Sequence, residues 1–109
     1  MKVAIIGSRS LTVENLQEYL PDSVTEIVSG GAKGIDACAK AYAQKAGLPL
    51  TEIRPDYARY GKAAPIRRNY EIVDLSDEVI AFWDGKSKGT LSVIEYSRKK
   101  GKKITVYQK

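Results

Sequence analysis

The sequence predicts an α/β fold, a three-layer Rossmann-like sandwich whose parallel five-stranded sheet runs in the order 3-2-1-4-5. Two observations carry the class. Short apolar runs alternate strictly with stretches of helical periodicity. The runs Val3-Ala4-Ile5-Ile6 and Val79 to Trp83 are apolar throughout, as strands buried on both faces are. Such alternation argues a parallel sheet with helices on both sides. Right-handed crossovers leave few arrangements, and the favoured one makes strands one and four neighbours at the switch point. A third observation locates the centre of the molecule. Ser29-Gly30-Gly31-Ala32-Lys33-Gly34-Ile35-Asp36 stands between a strand and a helix, with three glycines in the turn.

Each element has its own signal. Val3 to Ile6 forms strand one and ends in Gly7, followed by the polar turn Gly7-Ser8-Arg9-Ser10. Val13, Leu16 and Leu20 then fall at i, i+3 and i+7, which predicts a first helix with Thr12 as N-cap and Pro21 as its stop. Thr25 to Val28 is strand two. Ile35, Cys38, Ala39, Tyr42, Ala43 and Ala46 make one apolar helical stripe, closed by Gly47. Leu48 to Ile53 is a third strand, less apolar, as an edge would be.

Arg54 to Ala64 reads as a polar loop, and Pro65 suits the first position of a helix carrying Ile66, Tyr70 and Val73 on one face. After strand four comes a second glycine-rich turn, Asp84-Gly85-Lys86-Ser87-Lys88-Gly89. Thr90 to Lys100 is a further helix and Ile104 to Tyr107 the fifth strand. Repeats and linkers are absent, so residues 1–109 read as a single domain.

Composition bounds the chemistry. At 109 residues, 43% hydrophobic and 28% charged, the chain can build one core without staples. A single cysteine, Cys38, excludes an internal disulfide, and the absence of histidine makes a zinc site improbable. It also removes the commonest general base and any Ser-His or Cys-His pair. Cys38 sits on the apolar stripe and reads as a small buried hydrophobe. Met1-Lys2 runs straight into a strand and no apolar run is long enough to span a bilayer, so the expectation is a cytoplasmic protein with no membrane partner. A net charge of +5 favours anionic partners without choosing between nucleotides and nucleic acid.

The central turn is suited to an anion. Glycines let the backbone approach a ligand closely, and the first N–H groups of the following helix lack internal partners at the positive end of its dipole. A phosphate or carboxylate there would satisfy them. A plain tight connection accounts for the turn equally well. The turn is not the dinucleotide fingerprint, because Ser29 stands at the first glycine position and the turn follows the second strand. Gly85-Lys86-Ser87 is not a P-loop either, because Ile80 stands where its leading glycine would be. In the expected strand order, the turns at 7–9, 29–34 and 84–90 converge on one crevice, which favours the ligand.

The whole chain resembles the SLOG superfamily of small Rossmann-like proteins, which includes the DNA-processing (Smf) and cytokinin-activating (LOG) proteins. Within it the chain is similar to the YspA/cpYpsA-related branch. Ile6-Gly7-Ser8-Arg9, the central turn through Asp36, and the run Pro55-Asp56-Tyr57, Gly61-Lys62-Ala63-Ala64 and Arg68-Asn69 carry the resemblance. Phe82-Trp83-Asp84-Gly85 and Lys88-Gly89-Thr90 complete it. The resemblance implies a nucleotide-like ligand; the chain is read as a sensor or binding module for it, with no cofactor and no metal expected.

The expected ligand-binding residues are Gly7, Ser8, Arg9, Ser29, Gly30, Gly31, Ala32, Lys33, Gly34, Asp36, Arg68, Asn69, Trp83, Lys88, Gly89 and Thr90. Gly31, Lys33 and Gly34 would hold a phosphate through backbone N–H groups and a cation, with Arg9 and Arg68 adding bidentate contacts. Gly89 and Thr90 would offer a second helix N-terminus, the Thr90 hydroxyl serving as cap or phosphate donor. Asp36 would take a ribose hydroxyl, or simply complement the helix dipole. Trp83, at the end of strand four, would lie beside the ligand.

No catalytic residue is expected. LOG-like catalytic members carry a glutamate three residues after the Gly-Thr threonine, and that position here is Val93. Glu95 lies two residues on, about 200° around the helix, and would point elsewhere. Two alternatives stand beside the binding module: a hydrolase of N-glycosidic or phosphate bonds, and a single-stranded nucleic-acid binder. The basic run Arg98-Lys99-Lys100-Gly101-Lys102-Lys103 suits the latter, but cations at a helix C-terminus also complement its dipole. A homo-oligomer is compatible with the sequence.

Overall fold

A computed structural model, which describes residues 1–109, has β1 (Lys2–Gly7), β2 (Glu26–Ser29), β3 (Leu50–Glu52), β4 (Glu78–Trp83) and β5 (Lys103–Gln108) in one sheet. All neighbours are parallel, in the order β3-β2-β1-β4-β5, as the alternation predicts. β1 and β4 sit side by side from Val3↔Glu78 to Gly7↔Phe82. The chain winds outward in opposite directions from this pair, so their carboxyl ends leave a crevice between divergent loops.

Side chains alternate across the sheet and sort into two cores. Val3, Ile5, Ile27, Ile80 and Phe82 face helix α1 (Ile35–Ala46), which contributes Ile35, Ala39 and Ala43. Ala4, Ile6, Val28, Val79 and Ala81 face the other way. There they meet Ile72 and Val73 of α3 (Ala64–Leu75) and Val93 and Ile94 of α4 (Lys88–Lys99). Burial on both faces explains why β1 and β4 read as unbroken apolar runs.

The first crossover departs from the sequence expectation. In place of a helix capped by Thr12 there is only a 3₁₀ turn, Leu16–Tyr19, whose preceding residue Asn15 makes no side-chain cap. Upstream backbone donors are engaged in other ways: Leu11 N–H donates to the Ser8 carbonyl at 3.2 Å and Val13 N–H to Cys38 Sγ at 3.4 Å. Leu16 is buried, and Val13 and Leu20 pack on the same core. Tyr19 covers what a full helix would have covered. Its ring meets Phe82 edge-on at 5.1 Å and Tyr107 at 4.7 Å.

The segment read as a loop at 54–64 contains a single turn of helix, α2 (Tyr57–Tyr60), and a 3₁₀ turn at Gly61–Ala63. Asp56 caps α2, its side chain accepting from Arg59 N–H at 3.1 Å. α4 begins two residues before Thr90, and its cap is Ser87, whose Oγ accepts from Thr90 N–H at 3.4 Å. Thr90 is therefore not the cap. No helix is long and apolar enough to cross a membrane.

Candidate ligand-binding crevice

The crevice at the carboxyl ends of β1 and β4 encloses about 410 Å³. Ile6, Gly7, Arg9 and Ser10 form one wall, and Gly30, Ala32 and Asp36 a second. Pro65, Arg68, Asn69 and Ile72 come from α3, with Asp84, Ser87, Gly89, Thr90 and Val93 from the β4–α4 turn and α4.

Glycines bring these walls together. A Cβ on Gly7 would collide with the Ile35 side chain and lie 2.6 Å from the Phe82 carbonyl oxygen, so β1 can meet α1 here only without a side chain. Gly34 has φ +69° and ψ −121°, and a Cβ on it would lie 2.5 Å from the Arg9 carbonyl oxygen and 2.7 Å from that of Ser8. Gly34 thus seats the central turn on the β1 turn. Ser8 joins the third turn to these two. Its N–H donates to the Phe82 carbonyl at 3.0 Å, and its Oγ accepts from Asp84 N–H at 3.1 Å.

Two carboxylates occupy turns that would otherwise present open N–H groups. Asp84 Oδ1 accepts from Lys86 N–H and Ser87 N–H, each at 2.8 Å. Those two bonds hold the Asp84 carboxyl below the usual carboxylate range. Asp36 Oδ2 accepts from Ala32 N–H at 3.1 Å inside the central turn. Asp36 is buried, and burial raises its pKa despite the Ala32 bond and the nearby Arg68 charge. The Ser29 hydroxyl is fully buried with no hydrogen-bond partner.

Arg68 braces the crevice. Its Nε donates to Asn69 Oδ1 at 2.9 Å, and its Nη1 to the carbonyls of Gly30 at 2.9 Å and Ile53 at 3.4 Å. A guanidinium has five N–H donors, so both hydrogens on Nη2 remain without a protein acceptor. Asn69 Nδ2 reaches the Gly89 carbonyl at 3.5 Å, tying α3 to the first turn of α4. Neither Arg68 nor Arg9 forms an ion pair, since the molecule's two ion pairs are Arg54–Glu52 and Lys103–Glu78. Partial burial lowers the Arg68 pKa, against the opposing pull of Asp36.

Of the residues expected from sequence, Gly7, Arg9, Gly30, Ala32, Asp36, Arg68, Asn69, Gly89 and Thr90 line the crevice. Ser8, Ser29, Gly31, Lys33, Gly34, Trp83 and Lys88 do not. Ser8 and Ser29 are buried beneath it, while Lys33 and Lys88 are exposed outside it. Gly31 has φ +72°, and a Cβ on it would lie 3.2 Å from the Arg54 guanidinium. Trp83 Nε1 donates to the Ser87 carbonyl at 3.0 Å, one residue behind the wall. Sequence reasoning missed Ile6, Ser10, Pro65, Ile72, Asp84 and Ser87 as wall residues. The pattern Asp-x-x-Ser before a helix signals the last two, through an Asx turn followed by a cap. Val93 presents an apolar wall, and Glu95 lies in a separate outer groove with Tyr70, Leu91 and Lys99.

Residues 1–60 match the model of the YspA, cpYpsA-related SLOG family, from β1 through the central turn to α2. The chain belongs to this SLOG family. No curated protein and no solved structure matches it. The matched span of this SLOG domain holds Arg9, the central turn and Asp36, while Arg68, Asn69 and the first turn of α4 lie beyond it. The crevice thus joins the family-defining half of the SLOG domain to its remainder, with Arg68 making the hydrogen bonds across.

Proposed function

We propose that this crevice binds a nucleotide or nucleotide-derived ligand through its phosphate, as a sensor or binding module. The observation that carries the reading is Arg68: a guanidinium fixed by three bonds, with Nη2 free and no carboxylate paired to it. Such a group is preorganised for phosphate. Arg9 adds a second cation, and the Gly89 N–H in the first turn of α4 favours the same charge, the Thr90 N–H being taken by Ser87. A cavity of about 410 Å³ falls within the range of small-molecule sites. SLOG membership supports a nucleotide-related role.

The N–H groups of the two glycine-rich turns are partly engaged by Asp36 and Asp84, so the phosphate reading rests on arginines more than on the turns. Asp36 also supports a second reading, hydrolysis of an N-glycosidic or phosphate bond. A buried acid with a raised pKa beside a cation is suited to moving a proton. Thermal-shift and Trp83 fluorescence titrations with nucleoside monophosphates and their unphosphorylated nucleosides test the first reading. Binding that depends on the phosphate is the expected result, and no response from any nucleotide overturns it. Chromatography after incubation with the same nucleotides tests the second, through release of free base or of phosphate.

A further inference from the structure

A smaller cavity of about 280 Å³ adjoins the crevice, and Arg68 lines both. Its charged wall comprises Arg54, Arg59 and Arg68 with Asp56 and Glu71. The acids do not balance the arginines by contact. Asp56 caps α2, and the single ion pair in this region joins Arg54 to Glu52 at 3.2 Å. Arg59 and Arg67 form none. Both are instead gathered on the Tyr60 ring, at 5.1 Å and 5.5 Å from its centroid. Three guanidiniums, Arg54, Arg59 and Arg68, therefore share this wall with two carboxylates, and only Arg54 has an ion-pair partner. Arginines in excess over the carboxylates of one wall, with Arg59 and Arg68 in no ion pair, favour an anion that bridges them.

We infer that this cavity is a second anion subsite, and that the ligand is a nucleotide carrying a second phosphate group. One phosphate sits on the crevice side of Arg68 and the other between Arg54 and Arg59. The inference rests on the crevice being a nucleotide site. A second phosphate has two chemical sources, a diphosphate chain or a second ester on the sugar, and both present the same dianionic group to the arginines.

The experiment is calorimetric titration of the full chain with AMP, ADP and adenosine 3′,5′-bisphosphate, and with the uridine counterparts. Either two-phosphate nucleotide binds about tenfold tighter than its monophosphate, and the better of the two identifies the source. Arg59→Gln, at an exposed position outside both cores, removes most of that gain and leaves monophosphate affinity within about twofold. Arg54→Gln acts in the same direction. Equal affinity for one and two phosphates overturns the inference and leaves the crevice reading intact. So does a uniform weakening of all nucleotides by Arg59→Gln, which marks a general field in place of a subsite. Absence of binding by every nucleotide overturns both readings together.

Discussion

Arg68 donates from Nη1 to the carbonyl of Gly30, at 2.9 Å and 38 residues away in the chain. That bond fastens α3 to the central turn. A Cβ on Gly30 would lie 2.7 Å from Nη1, so the glycine is what admits the guanidinium.

Arg68→Gln should remove the bonds to Gly30 and Ile53 and leave those carbonyls without their donor. The expected loss is about 1.5–3 kcal/mol of stability, with nucleotide affinity falling about tenfold or more. Arg68→Lys should recover little of either, because one ammonium cannot match the three-way fork. Urea denaturation and nucleotide titration of both variants measure the two effects.

Gly34 and Gly47 share φ +69° in different surroundings. A Cβ at Gly47 meets nothing within 4 Å, whereas at Gly34 it strikes the Arg9 and Ser8 carbonyls. Gly47→Ala should destabilise by about 1 kcal/mol, the cost of the left-handed conformation alone. Gly34→Ala should destabilise by about 3 kcal/mol or more, adding backbone collision to strain. Comparable melting temperatures for the two variants would contradict the close seating of the central turn on the β1 turn. Gly34→Asp is accordingly a fold variant first and a poor probe of ligand charge.

The raised pKa of Asp36 has a defined pH signature. The native state holds this proton more tightly than the unfolded chain, so stability falls as pH rises from 3.8 through the raised native value. Asp36→Asn should flatten that part of the stability curve while keeping an acceptor for Ala32 N–H. Asp84 runs the other way: its lowered pKa adds stability above 3.8 that is lost as pH falls through the native value. Chemical denaturation at closely spaced pH values, with each variant subtracted from the parent, resolves the two contributions.

The basic run after α4 separates nucleotide from nucleic acid. Lys102 Nζ donates to the Ser76 carbonyl at 2.7 Å and Lys103 pairs with Glu78 at 3.8 Å, so both have structural partners. Lys99 and Lys100, both exposed, are the cleaner probes. They lie about 15 Å along α4 from Thr90, beyond the screening length of roughly 8 Å at physiological salt. Changing both to Gln should leave nucleotide affinity unchanged. Loss of tight oligonucleotide binding with a flatter salt dependence would make nucleic acid the leading partner.

The sequence by itself determined the layered α/β fold and the strand order. Val3 to Ile6 and Val79 to Trp83 are apolar on both faces, and only a sheet covered by helices on each side satisfies that. It also brought Arg9, Asp36 and Thr90 to one crevice, because strand order dictates which turns converge, whereas Arg68 is expected there from the family resemblance. Tertiary structure alone decided how those residues are engaged. Thr12 to Leu20 has helical spacing, yet Val13 N–H donates to Cys38 Sγ, Leu11 just before the span donates to the Ser8 carbonyl, and Tyr19 covers the sheet in place of a helix. The glycine-rich turns have the composition of an anion cradle, yet Asp36 and Asp84 occupy N–H groups within them. Periodicity and turn chemistry are local and can be read along the chain. Which donor meets which acceptor across 38 residues, as Arg68 meets Gly30, depends on how loops from separate strands pack together.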